Sequence, residues 1–299
     1  MKKKILITGA SGMLGAYLAL LWSTSKKYDI FATGKSFFSP NSSYAFKQFD
    51  LQEKTYRQLS HWTNPDIIIH CAALTNMDYC EKNKKEAMLI NGESVRKLND
   101  VFPNAKLIFL STDAVLPVNF HLATERISTN PSTVYGKSKE LGEKYLQAKT
   151  KNGLIIRTTI VGKNLNCQKQ SFVEWIVYSL KKKKEITLFE DVLFTPITIW
   201  HFASELEWLI ENQDKTLMPN ILHIAGSELT SKYDFGFRLC KKLNLDNSLM
   251  KKGQLNDMKS NVSRSHDQSL DISLYESLSQ RKLPDVPDTI QLLVGHFSA

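Results

Sequence analysis

The chain has 299 residues, enough for one large domain or two of ordinary size. Its 42% hydrophobic and 23% charged residues are the usual globular mix and argue against intrinsic disorder. The formal net charge of +9 comes mainly from lysines dispersed along the chain, apart from the run Lys181 to Lys184. A phosphorylated small molecule accounts for such a surface as well as nucleic acid does, and no nucleic acid is expected as a partner. Cys71, Cys80, Cys167 and Cys240 are scattered with no C-x-x-C pair, which argues against a zinc ribbon or disulfide scaffold and suits a reducing compartment.

The opening MKKKILITGASG starts as a secretory signal would, but Thr8, Gly9 and Ser11 interrupt the apolar run at once and no small-residue cleavage site follows. No apolar stretch reaches the ~20 residues of a membrane span, so a soluble, cytoplasmic protein without a membrane partner is expected. Ile5 to Thr8 reads as a strand and Met13 to Trp22 as a helix. Ile30 to Thr33 and Ile67 to Cys71 are further strand-like runs, followed by a polar helical segment through about Val101. Then come Leu107 to Leu110, a loop, a helix from Tyr135 to Ala148, and Leu154 to Thr158. Continuous apolar strands separated by helices specify an α/β fold, a Rossmann-type doubly wound parallel sheet. Past about residue 160, helical segments at Phe172–Leu180, Ala203–Ile210 and Lys232–Lys241 alternate with short strand-like pieces at Ile186–Phe189 and Ile221–His223. A polar tail from Gly253 to Asp288 follows. This half reads as a smaller, mixed C-terminal substrate lobe, with the chain free to pass between lobes.

Gly9-Ala10-Ser11-Gly12-Met13-Leu14-Gly15 joins the first strand to the first helix. Glycines there permit a tight turn, bring backbone N–H groups to a pyrophosphate and let helix pack on strand. The helix N-terminus adds partial positive charge. A dinucleotide site usually carries an acid about 20 residues on, for the ribose hydroxyl. Here the second strand ends in Gly34-Lys35-Ser36, with no carboxylate to repel a 2′-phosphate and a lysine to meet one. That pattern favours NADPH, with NADH as the alternative cofactor.

Tyr135 and Lys139 fall one turn apart on a helix. A free phenol has a pKa near 10, and a nearby cation lowers it toward a useful range. Ser111-Thr112-Asp113 follows a strand directly, where ligands of open α/β sheets bind, and supplies a hydroxyl to hold a substrate oxygen. Phosphate turn, strand-end hydroxyl and Tyr-x-x-x-Lys thus occur in a catalytically sensible order.

With these pieces the chain resembles the extended short-chain dehydrogenase/reductase family, nearest to the dTDP-4-dehydrorhamnose reductases and their sugar-nucleotide-binding relatives. The matching segments are TGASGMLG (8–15), PDIIIHCAALTNMDYCE (65–81), Asn91, STDAV (111–115), NPSTVYGKSKELGE (130–143), IIRT (155–158) and, more weakly, SRSHDQSLD (263–271). The resemblance implies a catalytic trio of Thr112, Tyr135 and Lys139. Tyr135 would donate the proton, Thr112 orient the keto oxygen, and Lys139 lower the tyrosine pKa while holding the nicotinamide ribose. It implies cofactor contacts at Gly9, Ser11, Gly12, Met13, Leu14 and Gly15, at Lys35 and Ser36, at Asp50 and Leu51 beside the adenine, and at Cys71, Ala72, Ala73 and Thr75. Asp113 and Arg264 are candidate substrate contacts, Arg264 for the pyrophosphate of the nucleotide. The division implied is a dinucleotide-binding domain over 1–160 and a substrate-binding lobe over 161–299.

The function so implied is NADPH-dependent reduction of a 4-keto nucleotide sugar in surface polysaccharide synthesis. A nucleotide-sugar epimerase or dehydratase, and a non-catalytic NADP-binding regulatory subunit, are the competing readings. The expected partner is the nucleotide-sugar substrate, with a homodimer as one open assembly state. The chain departs from the family where Ala114, Leu116 and Ile160 replace aromatic residues near the sugar pocket. The seven histidines show no metal-ligand spacing, so no metal is expected. Cys71 lacks a basic partner in sequence and is not read as a nucleophile. Glu205, Glu207 and Glu211 read as the solvated face of a helix.

Overall fold

The computed structural model describes residues 2–38, 43–118, 120–149, 153–212, 219–257 and 264–298. Six strands follow the chain: β1 (Lys4–Thr8), β2 (Asp29–Gly34), β3 (Ala45–Gln48), β4 (Ile67–His70), β5 (Lys106–Thr112) and β6 (Leu154–Thr158). With Ile221–His223 they form a seven-stranded sheet in the order Ile221–His223, β6, β5, β4, β1, β2, β3. Every neighbouring pair is parallel. Strands such as Ile5–Ile7 and Ile67–Ile69 are apolar throughout because both faces are covered and no residue meets water.

The strand order reverses between β1 and β4, so the loops after these two strands diverge and leave a crevice at their carboxyl ends. Helix α1 (Met13–Ser25) leaves from the first of these loops. One face of the sheet packs on Leu18, Trp22, Phe202 and Leu206, the other on Leu59, Val95, Leu98 and Leu146.

The strand Ile221–His223 corrects the two-lobe reading in one respect: it pairs with β6 and closes the main sheet rather than belonging to the C-terminal part. β3, with its half-exposed pattern, gave no clear strand signal in sequence and is held by its pairing with β2. The remaining C-terminal pieces form three small sheets. Ile160–Val161 pairs with Ile197–Thr198, Leu193–Phe194 sits between Thr230–Ser231 and Asp267–Gln268, and Ile186–Phe189 pairs with Met250–Gly253. They enclose a separate core of Val173, Val177, Phe194, Phe235, Leu239 and Leu293. The tail that reads as merely polar contains helices Ser273–Ser279 and Val286–Phe297, the second capped by Asp285; its residues 258–263 lie outside the described ones.

A second correction concerns Glu205. Glu207 and Glu211 face outward and pair with Lys27, but Glu205 is buried. It accepts a hydrogen bond from the Tyr275 hydroxyl at 2.7 Å and is gripped by Arg281 at 2.6 and 2.8 Å, which ties the tail to the sheet-covering helix Ile199–Asn212.

Candidate active site

β1 ends at Thr8, and Gly9 turns the chain at φ +72°, in the left-handed region that favours glycine. A Cβ on Gly9 would stand 2.6 Å from the Ala72 backbone, and one on Gly15 would stand 2.5 Å from the Gly9 carbonyl oxygen. The Gly12 N–H donates to the Gly9 carbonyl at 2.8 Å and closes the turn. α1 then starts with Gly12 as an N-cap without a capping side chain and with no acid in its first turn. A helix end of this kind, with free N–H groups, partial positive charge and no acid in its first turn, can hold an anion.

Two cavities meet at this turn. The larger is lined by Gly9, Gly12, Met13, Leu14, Gly15, Cys71, Ala73 and Thr75 and also by Thr112, Asp113, Tyr135 and Lys139. The smaller adds Ser11, Lys35, Asp50, Leu51 and Ala72. Two of the residues singled out in sequence fall elsewhere. Ser36 is exposed and lines neither cavity. Arg264 lies in a third cavity that shares Asp113 and Gln268 with the large one, and its guanidinium is 3.1 Å from the Asp78 carboxylate.

Tyr135 and Lys139 sit one turn apart near the start of helix Val134–Lys149, whose first N–H is received by the Glu81 carboxylate at 2.7 Å. Across from them, Thr112 ends β5; its hydroxyl donates to Asp113 Oδ1 at 2.8 Å and accepts from the Ala114 N–H at 3.2 Å. Burial pushes the Tyr135 phenol well above its ordinary range, the Asp113 carboxylate adds to this, and a hydrogen bond with Thr112 pulls it back. The lowering expected from Lys139 is not among the influences on the phenol. Lys139 is itself pushed down to about 7 by burial, against the pull of Glu143 and Cys71. Its ammonium donates to the Leu110 carbonyl and lies 4.0 Å from the centre of the Phe109 ring. A phenol held protonated is fitted to give a proton rather than take one.

Buried polar groups hold this geometry. His70 Nε2 donates to the Ser94 hydroxyl at 2.9 Å, because that hydroxyl already donates to the Ile90 carbonyl; His70 Nδ1 therefore accepts from Thr8 at 2.6 Å. Burial, then Lys139, lowers the imidazole to about 3, so it stays neutral and pins the ends of β1 and β4. Asn91 lies in a π-helical segment, Met88–Glu93, and its side-chain amide binds the Leu74 backbone at 2.8 and 3.0 Å and the Ser138 hydroxyl at 2.9 Å. Glu143 accepts from Ser111 at 2.5 Å and is bound by Arg157 at 3.0 and 2.7 Å, joining the helix to β5 and β6. Burial pushes the Cys71 thiol up to about 12, which keeps it an inert wall of the cleft.

Residues 2–298 match the family model described as the RmlD substrate binding domain. The chain belongs to that family.

The chain is 28% identical to the spore coat polysaccharide biosynthesis protein SpsK of Bacillus subtilis, over 83% of this chain and 82% of that one. It is 25% identical to the probable low-salt glycan biosynthesis reductase Agl14 of Haloferax volcanii, over 98% and 97%. The crystal structure of dTDP-4-dehydrorhamnose reductase from Bacillus anthracis in complex with NADP superposes with a TM-score of 0.86 at 23% identity, covering 99% of this chain and 100% of that one, a likeness of fold.

Ala114 and Leu116 border the third cavity and Ile160 the large cleft, which Phe172 and Phe194 also line. Sequence reasoning also missed Lys169, which borders both main cavities, and Lys232 and Gln268, which border the large one. No local signal marks the two lysines, whereas Gln268 falls in the stretch 263–271 that carries the weaker resemblance. Lysine is common throughout the chain, and these residues reach the cleft only through the packing of the C-terminal part.

Proposed function

We propose that the protein reduces the 4-keto group of a nucleotide-linked sugar with NADPH, NADH being the weaker alternative, in surface polysaccharide synthesis. The observation that carries this reading is the convergence of Thr112, Tyr135 and Lys139 on the cleft that the glycine turn also lines. The relatives named for polysaccharide and glycan synthesis support it.

The residues present fit a dinucleotide. A Cβ at Gly9 or Gly15 would fill the space the backbone needs for close approach, and the uncapped end of α1 has donors for a pyrophosphate. Ser11 and Ala72 border the adenosine side with Asp50 and Leu51, and Lys35 is placed for a 2′-phosphate. When bound, the cofactor supplies a hydride to the carbonyl carbon. The chain's own work is then to meet the charge that develops on the oxygen. Thr112 orients that oxygen by hydrogen bonding, and Tyr135, kept protonated by burial, releases its proton to it. Lys139 holds the nicotinamide ribose. Residues of the 161–299 half, Phe172, Phe194 and Gln268 among them, line the cleft, which supports reading that half as the substrate lobe beside a 1–160 dinucleotide-binding domain.

Incubation of the purified protein with NADPH and a panel of 4-keto nucleotide sugars, followed by absorbance, tests the reading. Stoichiometric NADPH oxidation with at least one sugar and an alcohol product is expected. Oxidation with none of them overturns it.

A further inference from the structure

Lys232 opens helix Lys232–Lys242 in the C-terminal part, far in sequence from the Tyr-x-x-x-Lys segment, yet its side chain reaches the large cleft. Its backbone N–H donates to the Val192 carbonyl at 2.9 Å, and Ser231 caps the helix behind it, so the residue's position is fixed. The ammonium lies 3.3 Å from the centre of the Phe194 ring and 5.3 Å from that of Phe172. Aromatic faces stabilise a cation without offering a carboxylate or carbonyl to satisfy it. The charge acts instead on Asp113, the one acid among the described residues lining the cleft.

Asp113 poses a difficulty for the reduction. A threonine hydroxyl has one proton, and that of Thr112 is donated to Asp113 at 2.8 Å. A substrate carbonyl brings no proton and needs that same donor. An unopposed carboxylate is a strong, charge-assisted acceptor and would keep it.

We propose that Lys232 is a positioning residue for the reduction: its charge weakens the hold of Asp113 on the Thr112 hydroxyl, so that the hydroxyl turns to the keto oxygen of the substrate. This role rests on the reductase reading above. The electrostatics run in the same sense. Burial lowers Lys232, to about 8 with Asp113 pulling against it, and burial raises Asp113 with Lys232 pulling it down.

Two measurements on the full chain test the role. With a keto sugar that the protein reduces, Lys232→Gln lowers kcat about tenfold, the factor separating a charged from a neutral acceptor bond, while NADPH affinity is unchanged and K232R recovers most of the loss. In a D113N background the same Lys232→Gln change costs less than about twofold, because a neutral amide does not need neutralising. An undiminished kcat in K232Q, or an equal loss in both backgrounds, overturns the proposal. Unchanged NADPH affinity in each variant shows that the fold is intact.

The second measurement needs no substrate. Acylation of Lys232 by an amine-directed reagent at pH 6.5, where most of the amine is still protonated, followed by peptide mass spectrometry, becomes severalfold faster in D113N, because loss of the carboxylate frees more neutral amine. An unchanged rate overturns the pairing. If no sugar is reduced while the acylation rate still responds to D113N, it is the reductase reading that has failed, and the role assigned to Lys232 falls with it.

Discussion

The Lys35 ammonium lies 3.3 Å from the Asp50 carboxylate, on the rim of the cavity that continues from the glycine turn. Side-chain exposures of 64% and 32% leave both groups within reach of a ligand phosphate. The pair means that Lys35 meets a 2′-phosphate only in competition with Asp50, which weakens its selectivity without abolishing it.

NADPH is accordingly expected to bind more tightly than NADH, and Lys35→Ala to narrow the difference by about 1 kcal/mol, roughly fivefold, as for an exposed charge pair. Fluorescence titration of both cofactors measures this, and the difference shrinks at high salt. Equal affinities in the unaltered protein contradict the assignment.

Tyr135→Phe keeps a ring that packs with Cys80, Ala87 and Val134 and removes only the hydroxyl. Folding and NADPH binding persist, while single-turnover reduction falls by about 10²–10⁴, the loss of a general acid. Turnover at the unaltered rate would take the proton-donor role from Tyr135.

Gly9→Ala places a Cβ 2.6 Å from the Ala72 backbone on a residue at φ +72°. Left-handed backbone alone costs a non-glycine residue about 1–2 kcal/mol, and the clash adds to it. A lowered Tm together with weakened cofactor binding is expected from thermal unfolding and titration. Full cofactor affinity in this variant would show that the turn does not approach the ligand.

Glu143→Gln leaves Arg157 as an uncompensated charge that is 2% exposed. Loss of about 3–5 kcal/mol in urea unfolding follows, whereas the double change E143L/R157M recovers most of it, since a well-packed apolar pair often replaces a buried ion pair at little cost. A double variant as unstable as the single would contradict this account.

His70 gives a pH dependence. Its folded value, lowered from 6.5 to about 3 by burial and then Lys139, lies below that of the unfolded chain, so unfolding takes up a proton as pH falls. The stability is complete above about pH 6.5 and is lost toward pH 3, at up to about 1.4 kcal/mol per pH unit from this group. His223, lowered to about 4, contributes in the same direction. Urea unfolding across that range shows a shallower slope in H70N; an identical slope would mean that His70 does not stay neutral.

Much of this protein is legible in its sequence because the determinants are local. Apolar runs such as Ile5–Ile7 and Ile67–Ile69 identify buried parallel strands, and the glycines between Thr8 and Leu14 identify a phosphate turn whose conformation a side chain would forbid. Thr112 at a strand end and the one-turn spacing of Tyr135 and Lys139 follow from secondary structure alone. What the tertiary structure decided is how distant segments share one environment. The burial of Glu205 under Arg281, the closing of the sheet by Ile221–His223 and the arrival of Lys232 in the cleft that Asp113 lines depend on contacts between residues more than 60 positions apart, which no local pattern encodes. The protonation of Tyr135 belongs with them. A pKa depends on burial and on every nearby charge, so desolvation and the carboxylate that follows β5 raise the phenol, and the cation one helical turn away does not set it.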